Sequence, residues 1–278
     1  MISFRDIGYL GRLGNQIFQF ASTIGIARMR VASAAFPLEN SYSYRGTGPM
    51  DQSTGKRLET KCEIQDCFDI REGFFIDSNS ITTTHRFNEV DFNYNPSVEL
   101  LPDNVDLFGY FQNEKYFSHV REELLGILKF KEQHIELANN FLRESDLKGN
   151  IISIHIRRGD YVNLQNFHPI CTLEYYEKAV EFFLDDQCTF LIFSDDLNWA
   201  KENIKLPNSI FVELKNPYSE MYLMTQCNHH IIANSSFSWW GAWLSKSEDK
   251  KVIAPSRWFG DAMNKDTSGI YCKNWIVI

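Results

Sequence analysis

Several protein classes leave a pattern that this sequence lacks. No two of its six cysteines have the two-residue spacing of zinc and redox hairpins, so we predict reduced cysteines in a cytoplasmic protein. Charged residues interrupt the first thirty positions, and we therefore expect no signal peptide, membrane anchor or transmembrane segment. There is no Asp-x-Asp triplet, which commonly holds a divalent metal against a nucleotide diphosphate, and no complete GxGxxG or Walker pattern.

Positive charge is also in short supply. Lysine and arginine number 28 against 36 aspartates and glutamates, and the net charge of -8 argues against a nucleic-acid partner. Any bound phosphate must therefore be held by a local group of side chains. The hydrophobic share of 44% can bury a core, and 278 residues fit two domains of roughly 100 to 150 residues each.

The second half of the chain alternates between short apolar runs and helical patterns. Strands are predicted at 151–156, 189–193, 210–212, 230–233 and 252–254, and helices at 173–184, 197–204, 218–227 and 239–245. Repeated strand and helix units imply a parallel sheet with right-handed crossovers. A helical pattern over 117–145 is predicted to be the last element of the first domain. We predict a first lobe over 1–146 and a second over 147–278, with the C-terminal tail able to pack back on the first lobe.

The amino terminus has the order strand, glycine loop, helix. A predicted strand over 1–4 precedes three glycines between positions 8 and 14, and an apolar helical face follows. Phosphate-binding α/β units use this order because the N–H groups at a helix start attract anions. Asn15 and Gln16 could donate hydrogen bonds to a phosphate oxygen or a sugar hydroxyl. The alternative is an ordinary tight turn with Asn15 as its cap.

The main candidate for chemistry is the block His-Ile-Arg-Arg-Gly-Asp over 155–160, which runs off the carboxyl end of a predicted strand. Arg157 and Arg158, beside a glycine that lets the backbone approach a ligand, suit fork-like hydrogen bonding to a diphosphate. His155 could donate to a ribose, a phosphate or a backbone carbonyl, and its charge state is open. In the structural alternative the arginines pair with Asp160 and other carboxylates, and Asp160 lies in a turn.

Two further polar blocks follow predicted strands. In Ser-Asp-Asp over 194–196, Asp195 or Asp196 could accept hydrogen bonds from a guanine edge or a ribose hydroxyl, while the other caps the next helix. The block Asn-Ser-Ser-Phe-Ser-Trp-Trp over 234–240 places hydroxyls at a helix start, where they could bind a phosphate. Its tryptophans are expected to pack in the core rather than to stack on a sugar.

These three blocks, together with Gly-Arg-Leu-Gly-Asn-Gln over 11–16 and Gly-Tyr-Phe-Gln over 109–112, occur in one order along nearly the whole chain. In that order and spacing the sequence resembles the alpha-1,2-fucosyltransferases of glycosyltransferase family 11, and among them the short bacterial members. The resemblance implies an α/β fold of GT-B type, with two Rossmann-like lobes whose parallel sheets face each other across a cleft. It also implies a GDP-β-L-fucose donor held mainly by the second lobe, without a metal or other cofactor.

The resemblance also implies roles for individual residues. In fucosyltransferases with the His-x-Arg-Arg block, the arginine part of the block contacts the β-phosphate of the donor. The resemblance therefore implies that Arg157 and Arg158 have this role here. In the same enzymes an aspartate after the next strand hydrogen-bonds the guanine base, so the resemblance assigns this role to Asp195 or Asp196. Asn15 matches an asparagine that lies near the transferred sugar. The donor-binding set is completed by Arg12, Gly14, His155, Asn234, Ser235, Ser236, Phe237 and Ser238. Asp160 and His155 are candidates for a general base, and together with Arg157, Arg158 and Asn15 they form the catalytic set.

The activity implied is inverting transfer of L-fucose from GDP-β-L-fucose to the 2-hydroxyl of a terminal β-galactoside, in the synthesis of an O-antigen or another bacterial surface glycan. Part of the acceptor site is expected within 36–105, where 40–58 is predicted to be a long surface loop. Peripheral attachment to the inner face of the inner membrane is left open. The alternatives are a fucosyltransferase of other linkage, alpha-1,6 or protein O-linked, and a non-catalytic glycan-binding module.

Overall fold

The computed structural model describes residues 1–38, 61–184 and 187–278, and the loop predicted at 40–58 lies outside these ranges. The chain divides into two compact units. The first comprises Met1–Lys129 with Lys265–Cys272, and the second comprises Phe130–Asn264 with Lys273–Ile278. Each unit is built on its own parallel β-sheet.

The sheet of the first unit has five parallel strands. They are β1 (Ile2–Ser3), β2 (Ala34–Pro37), β3 (Phe75–Ile76), β4 (His85–Asn88) and β5 (Val105–Phe108). Their order across the sheet is β3-β2-β1-β5-β4. The α-helices of this unit are α1 (Leu13–Met29), α2 (Ile64–Cys67) and α3 (Arg121–Ile127). Sequence patterns predicted β1 and α1 but none of the other four strands, which are short or exposed.

Helix α1 is the central element of the first unit. The sequence predicts a single apolar face, but the structure buries nearly every residue from Leu13 to Ala27. Polar side chains on α1 are buried too, and backbone carbonyls accept their hydrogen bonds. Gln19 Nε2 donates to Leu10 O at 3.0 Å and Ser22 Oγ donates to Phe111 O at 3.2 Å. Because buried polar groups cost free energy unless they are hydrogen-bonded, these contacts allow the helix to be enclosed.

The second unit follows the predicted alternation of strand and helix. Its strands are β6 (Asn150–Ile156), β7 (Cys188–Ser194), β8 (Ser209–Phe211), β9 (His229–Ile231), β10 (Val252–Ala254) and β11 (Ile276–Val277). Its helices are α4 (Glu132–Glu144), α5 (Leu173–Glu181), α6 (Leu197–Asn203), α7 (Pro217–Thr225) and α8 (Ser236–Leu244). The strands are all parallel and their order is β11-β10-β9-β6-β7-β8. The prediction of a parallel sheet is therefore confirmed.

Strand β7 shows why this sheet is covered on both faces. Phe190 and Ile192 pack into one hydrophobic cluster, and Leu191 and Phe193 pack into another. Successive side chains of a strand point to opposite faces, so a continuous apolar run supplies a core to each side.

The single helical pattern predicted over 117–145 is a short 3-10 helix (Ser118–Val120) followed by two separate α-helices, α3 and α4, because the chain leaves helical geometry between the two. Leu128, which ends α3, has ψ 60°, and Lys131, which precedes α4, has ψ 144°. On α4, Ala138 packs in the same cluster as Leu223 and Met224 of α7. The division therefore falls at 129/130 rather than at the predicted 146/147. Of the C-terminal tail, 265–272 groups with the first unit and 273–278 with the second.

Within the described ranges, each helix is too short or too polar to cross a bilayer.

Candidate functional site

In the second unit, the polar blocks found in the sequence follow three neighbouring strands. Strands β9, β6 and β7 are adjacent and parallel, so their carboxyl ends lie at one edge of the sheet. The blocks at 155–160, 194–196 and 234–240 come at or just after those ends. Ligands of open parallel sheets bind at this edge, which is therefore the candidate ligand-binding edge of the second unit.

Arg157 is held between two carboxylates. Its Nη1 lies 2.7 Å from Asp195 Oδ2, and its Nη2 donates to Asp160 Oδ1. The guanidinium carbon is 5.0 Å from the centre of the Tyr161 ring. Arg157 therefore pairs with Asp160 and another carboxylate, as the alternative without a ligand predicted. These two carboxylates compensate much of its positive charge.

Arg158 has a different environment. Its Nε lies 3.1 Å from Asp196 Oδ2, and its guanidinium carbon lies 3.9 Å from the centre of the Trp199 ring. Within the described part of the chain no hydrogen bond is formed by Nη1 or Nη2, and the side chain is 17% exposed. The two Nη groups therefore keep donors for a ligand. A guanidinium fixed on one edge and open on the other suits a phosphate.

The two aspartates after β7 are both occupied. Asp196 caps α6, since its Oδ1 accepts from Trp199 N at 3.2 Å, and its Oδ2 accepts from Arg158. Asp195 accepts from the backbone N–H of Arg158 at 2.8 Å and from Arg157. The expectation that one of them is a helix cap is met by Asp196. The reading of a guanine edge by either aspartate stays a prediction.

Gly159 makes this arrangement possible. A Cβ at this position would overlap Asp195 Oδ2, the oxygen that holds Arg157. Any larger residue would displace a carboxylate that is anchored twice. The glycine therefore allows the chain after β6 to approach the chain after β7.

His155 is buried beneath these groups. Its ring centre lies 5.6 Å from that of Phe237, and its Nδ1 finds no hydrogen-bond partner among the described residues. Burial, and then the charge of Arg157, lowers the pKa of His155 to about 3. The ring is therefore neutral at physiological pH and is a weak base. This argues against the prediction that His155 is the general base.

The block after β9 contributes mainly structural hydrogen bonds. Asn234 Nδ2 donates to Pro169 O and to Trp258 O, each at 2.9 Å, so this side chain ties two loops to the sheet. A direct contact of Asn234 with the donor stays a prediction. Ser235 caps α8, because its Oγ accepts from Phe237 N at 3.4 Å.

The remaining residues of the block at 234–240 that were predicted to bind the donor differ in how far they are buried. Ser238 Oγ donates to Ser235 O at 3.3 Å and is buried, whereas Ser236 and Phe237 are half-buried on the first turn of α8. Backbone N–H groups at a helix start attract anions, so this turn and Ser236 remain candidates for a phosphate contact.

Trp239, Trp240 and Trp243 are buried and pack on one another, with ring centres 4.9 to 6.2 Å apart. They follow the core packing that the sequence predicts. A glycan could not stack on rings that are enclosed in this way. The alternative of a glycan-binding module therefore loses the feature on which it was based.

Sequence reasoning missed an aromatic group beside the arginines. The Tyr161 and His168 rings are stacked with centres 4.8 Å apart, and Phe259 meets His168 edge to face at 5.6 Å. Trp199 was missed as well, although its position three residues after the capping Asp196 is a signal for the first turn of a helix. Spacing along the chain does not reveal the stack, because Phe259 comes from a distant loop.

In the first unit, the start of α1 does not have the expected character of a phosphate site. Leu13 N, at the first residue of the helix, donates to Glu63 Oε2 at 2.7 Å, so a carboxylate already occupies this position. The cap position is Arg12, which is exposed, and Gly14 lies buried inside the helix. The alternative of Asn15 as the cap is also wrong, because Asn15 is the third residue of the helix.

Asn15 is instead held by another of the sequence blocks. Its Oδ1 accepts from Gln112 Nε2 at 2.7 Å, which joins the blocks at 11–16 and 109–112. Gly11 has φ +75°, and a Cβ there would overlap the Asn15 amide, so a glycine is required. A contact of Asn15 with the transferred sugar stays a prediction.

Among the residues that the structure describes, no group of three or more histidine, cysteine, aspartate or glutamate side chains is placed to hold a metal ion. Activity without a metal stays a prediction.

The family model of glycosyl transferase family 11 matches residues 64–278. The chain belongs to glycosyl transferase family 11. An O-antigen biosynthesis glycosyltransferase, WbnK of Escherichia coli, is 29% identical over 96% of this chain and 97% of its own length. An alpha-1,2-colitosyltransferase of Escherichia coli is 32% identical over 90% of each chain. Galactoside alpha-(1,2)-fucosyltransferase 2 of Sus scrofa is 26% identical over 87% of this chain and 70% of its own length.

The fold of this family 11 protein is also found in a solved structure. POFUT1 in complex with GDP-fucose superposes with a TM-score of 0.51 and 14% identity, over 91% of this chain and 97% of that chain. At this identity the likeness concerns the fold alone. The predicted α/β class of GT-B type is confirmed.

Proposed function

We propose that this family 11 protein is an inverting galactoside alpha-1,2-fucosyltransferase that uses GDP-β-L-fucose and needs no metal. The acceptor is the 2-hydroxyl of a terminal β-galactoside. The similarity to WbnK supports a bacterial O-antigen or related surface glycan as the product. We place the reaction in the cytoplasm, and peripheral attachment at the inner face of the inner membrane stays open, as in the sequence-based prediction.

The main support for this proposal is the geometry of the Arg158 side chain. Its guanidinium is fixed by Asp196 and Trp199 at the carboxyl edge of the sheet, yet Nη1 and Nη2 make no hydrogen bond to any residue that the structure describes. Fixed donors of this kind stabilise charge that develops on a leaving group, because they need no reorganisation during the reaction. The leaving group of a GDP-sugar is a diphosphate, which a guanidinium binds through parallel hydrogen bonds.

Inversion follows from the change from a β-linked donor to an α-linked product. The acceptor oxygen attacks C1 of fucose from the face opposite the diphosphate. As the new C1–O bond forms, the bond from C1 to the β-phosphate oxygen breaks, and GDP leaves with the electron pair. Arg158 would stabilise the charge on GDP, helped by the first turn of α8 through its N–H groups. Arg157 would act mainly by positioning Asp160 and Asp195.

Colitosyl transfer is the second candidate, because the alpha-1,2-colitosyltransferase has 32% identity to this chain over nine-tenths of both. Colitose is L-fucose without its 3-hydroxyl. A site that hydrogen-bonds this hydroxyl rejects the deoxy sugar strongly, whereas a site without a partner for it discriminates little. Comparing the two donors therefore separates the candidates.

The experiment measures GDP release from purified protein with EDTA present, across a panel of β-galactosides. GDP-fucose and GDP-linked colitose are compared as donors, and NMR gives the linkage of each product. We expect an α-1,2-fucosylated product, with the fucose donor preferred. A clear preference for the colitose donor would replace fucose in the proposal.

Arg158→Ala is the control variant for the same assay. It should bind GDP more weakly and lose transfer while keeping its circular dichroism spectrum. A product of alpha-1,6 or protein O-linkage would favour the alternative fucosyltransferase. GDP binding without GDP release for any donor and acceptor would contradict the proposed activity.

A further inference from the structure

Glu89 lies at the carboxyl edge of the sheet in the first unit. It directly follows β4, whose neighbour β5 runs into the block at 109–112. The side chain is half-buried, and the sequence around it matches no motif. Ligands of parallel sheets bind at this edge, so a carboxylate placed here is a candidate for contact with a substrate.

One oxygen of Glu89 is fixed by the neighbouring loop. Oε2 accepts from Tyr110 N at 2.6 Å and from Phe111 N at 2.9 Å. Gly109 lets the loop come this close, since a Cβ there would overlap the Cβ of Glu89. The carboxylate therefore has a defined orientation.

The other oxygen of Glu89 is left without a hydrogen-bond donor in the described part of the chain. Oε1 of Glu89 is buried, and among the described residues no group donates a hydrogen bond to it. The same holds for Oε1 of Gln112, three residues beyond Gly109, whose Nε2 donates to Asn15. Two buried acceptors beside one loop require donors, because an unpaired buried acceptor costs about 1 to 3 kcal/mol. Hydroxyl groups of a sugar are donors of the right kind.

The environment of Glu89 also suits proton transfer near neutral pH. Burial raises the pKa of Glu89 to about 7, the two backbone N–H groups oppose that rise, and the charge of Asp91 adds to it. The other titratable groups that interact with it are Tyr110 and Tyr116. A general base works best when its pKa is close to the working pH.

We propose that Glu89 is the general base of the transfer reaction, with Oε1 accepting the hydrogen bond of the attacking acceptor hydroxyl. As the hydroxyl oxygen bonds to C1 of the donor sugar, its proton passes to Oε1 and GDP leaves with the electron pair of the broken C1–O bond. This inference rests on the proposed function and deepens it. Glu89 takes the place of His155 and Asp160, the base candidates from the sequence, since His155 is a weak base and Asp160 is tied to Arg157.

A structural role for Glu89 is the competing explanation, because its Oε2 holds the backbone of Tyr110 and Phe111. Phe111 has φ 52°, an unusual value for a phenylalanine, so the loop needs that support. Glu89→Gln separates the two roles. The amide oxygen still accepts from both N–H groups, while the amide nitrogen in place of Oε1 takes up no proton.

The first test measures kcat/KM against pH for the wild-type enzyme, Glu89→Gln and Glu220→Gln. Glu220 is the matched control, because burial raises its pKa to about 7 as well, and it lies on α7 in the second unit. For the wild type and Glu220→Gln we expect kcat/KM to rise with pH and level off above about 7. Glu89→Gln should lose this rise and roughly 100- to 10,000-fold of the rate at pH 8.

The second test replaces the acceptor sugar by azide, a nucleophile with no proton to lose. We expect wild type and Glu89→Gln to form fucosyl azide at similar rates, which a loop defect would not allow. Equal loss of azide and sugar transfer in Glu89→Gln would overturn the assignment, as would full sugar transfer by this variant. If the wild-type enzyme transfers fucose to neither acceptor, the proposed function itself fails and the base with it.

Asp91→Asn gives an independent check on the same group. Asp91 Oδ1 accepts from Asn93 N at 2.8 Å, and the asparagine oxygen can keep that turn. Removing the negative charge should move the rise in kcat/KM to lower pH, because Asp91 raises the pKa of Glu89. An unchanged or upward-shifted profile would argue against Glu89 as the titrating group.

Discussion

Arg158 stacks on Trp199, with the guanidinium carbon 3.9 Å from the centre of the indole ring, while its Nε lies 3.1 Å from Asp196 Oδ2. Asp196 also caps the helix that carries Trp199. One carboxylate therefore fixes both the cation and the ring beneath it. In contrast, Arg157 is enclosed by two carboxylates, so the two adjacent arginines differ in what they can offer a ligand.

Replacing Arg158 should reduce the rate of transfer more than it reduces stability. We expect Arg158→Ala to lower kcat by roughly 100- to 1,000-fold, the usual effect of removing one fixed donor to a developing charge. Arg158→Lys should recover little, because an ammonium group lacks the planar fork. Trp199→Phe, which keeps an aromatic face, is the matched control and should retain most of the activity. Steady-state kinetics of the three variants would test this, and near wild-type turnover by Arg158→Ala would contradict it.

Gly159→Ala should weaken donor binding while the fold persists. The added methyl group would push Asp195 away from the backbone N–H of Arg158 and from the Arg157 side chain. Calorimetric titration with GDP would give the affinity, for which we expect a loss of about tenfold or more, since one displaced charge-assisted contact is worth about 1.5 to 3 kcal/mol. Gly126→Ala is a suitable control, because nothing lies within 4 Å of a Cβ there. Equal affinities for the two variants would count against this account.

Asn234→Ala should act on stability. The variant would leave the carbonyls of Pro169 and Trp258 without their shared donor in a buried position. We expect the free energy of unfolding to fall by about 2 to 3 kcal/mol, measured by urea denaturation. A stable Asn234→Ala protein that no longer binds GDP would instead support the direct donor contact predicted from the sequence.

Two buried histidines should make the fold sensitive to acid. Burial is the first cause that lowers the pKa of His155 and His230 to about 3 each, with nearby cationic groups adding to it. The unfolded chain therefore binds more protons than the folded one between about pH 3 and 6.5, so the contribution of these histidines to stability is lost as pH falls through that window. The raised pKa values of Glu89 and Glu220 act in the opposite direction between about pH 4.5 and 7.

His230→Asn isolates the histidine effect. Its amide oxygen can accept from Ser153 Oγ, which lies 2.8 Å from His230 Nδ1, but it does not titrate. Urea denaturation of wild type and variant at pH 5 and pH 7.5 gives the comparison. The variant should lose less stability on going to pH 5. An identical loss in both proteins would mean that His230 is not responsible.

The strands and helices of the second unit were predictable because their signals are local. The apolar runs of β6 and β7 are long enough to be recognised as strands of a sheet that is buried on both faces. Capping residues such as Thr172 and Asp196 mark the starts of the helices that follow. The polar blocks were predictable as a group for the same reason. Each follows a strand, and the ends of parallel strands meet at one edge. In the first unit all five described strands have two to four residues, too few to show a period.

The sequence by itself determined the family, the parallel sheet of the second unit and the positions of the arginine and aspartate blocks, since these depend on residue order and local periodicity. Only the tertiary structure decided that Arg157 pairs with two carboxylates while the Nη groups of Arg158 make no hydrogen bond to the described residues, that Asn234 donates to two distant carbonyls, and that burial raises the pKa of Glu89. Each of these depends on partners far apart in the chain. Burial and the distance between charges, which fix a side chain's hydrogen bonds and its pKa, exist only after the chain has folded.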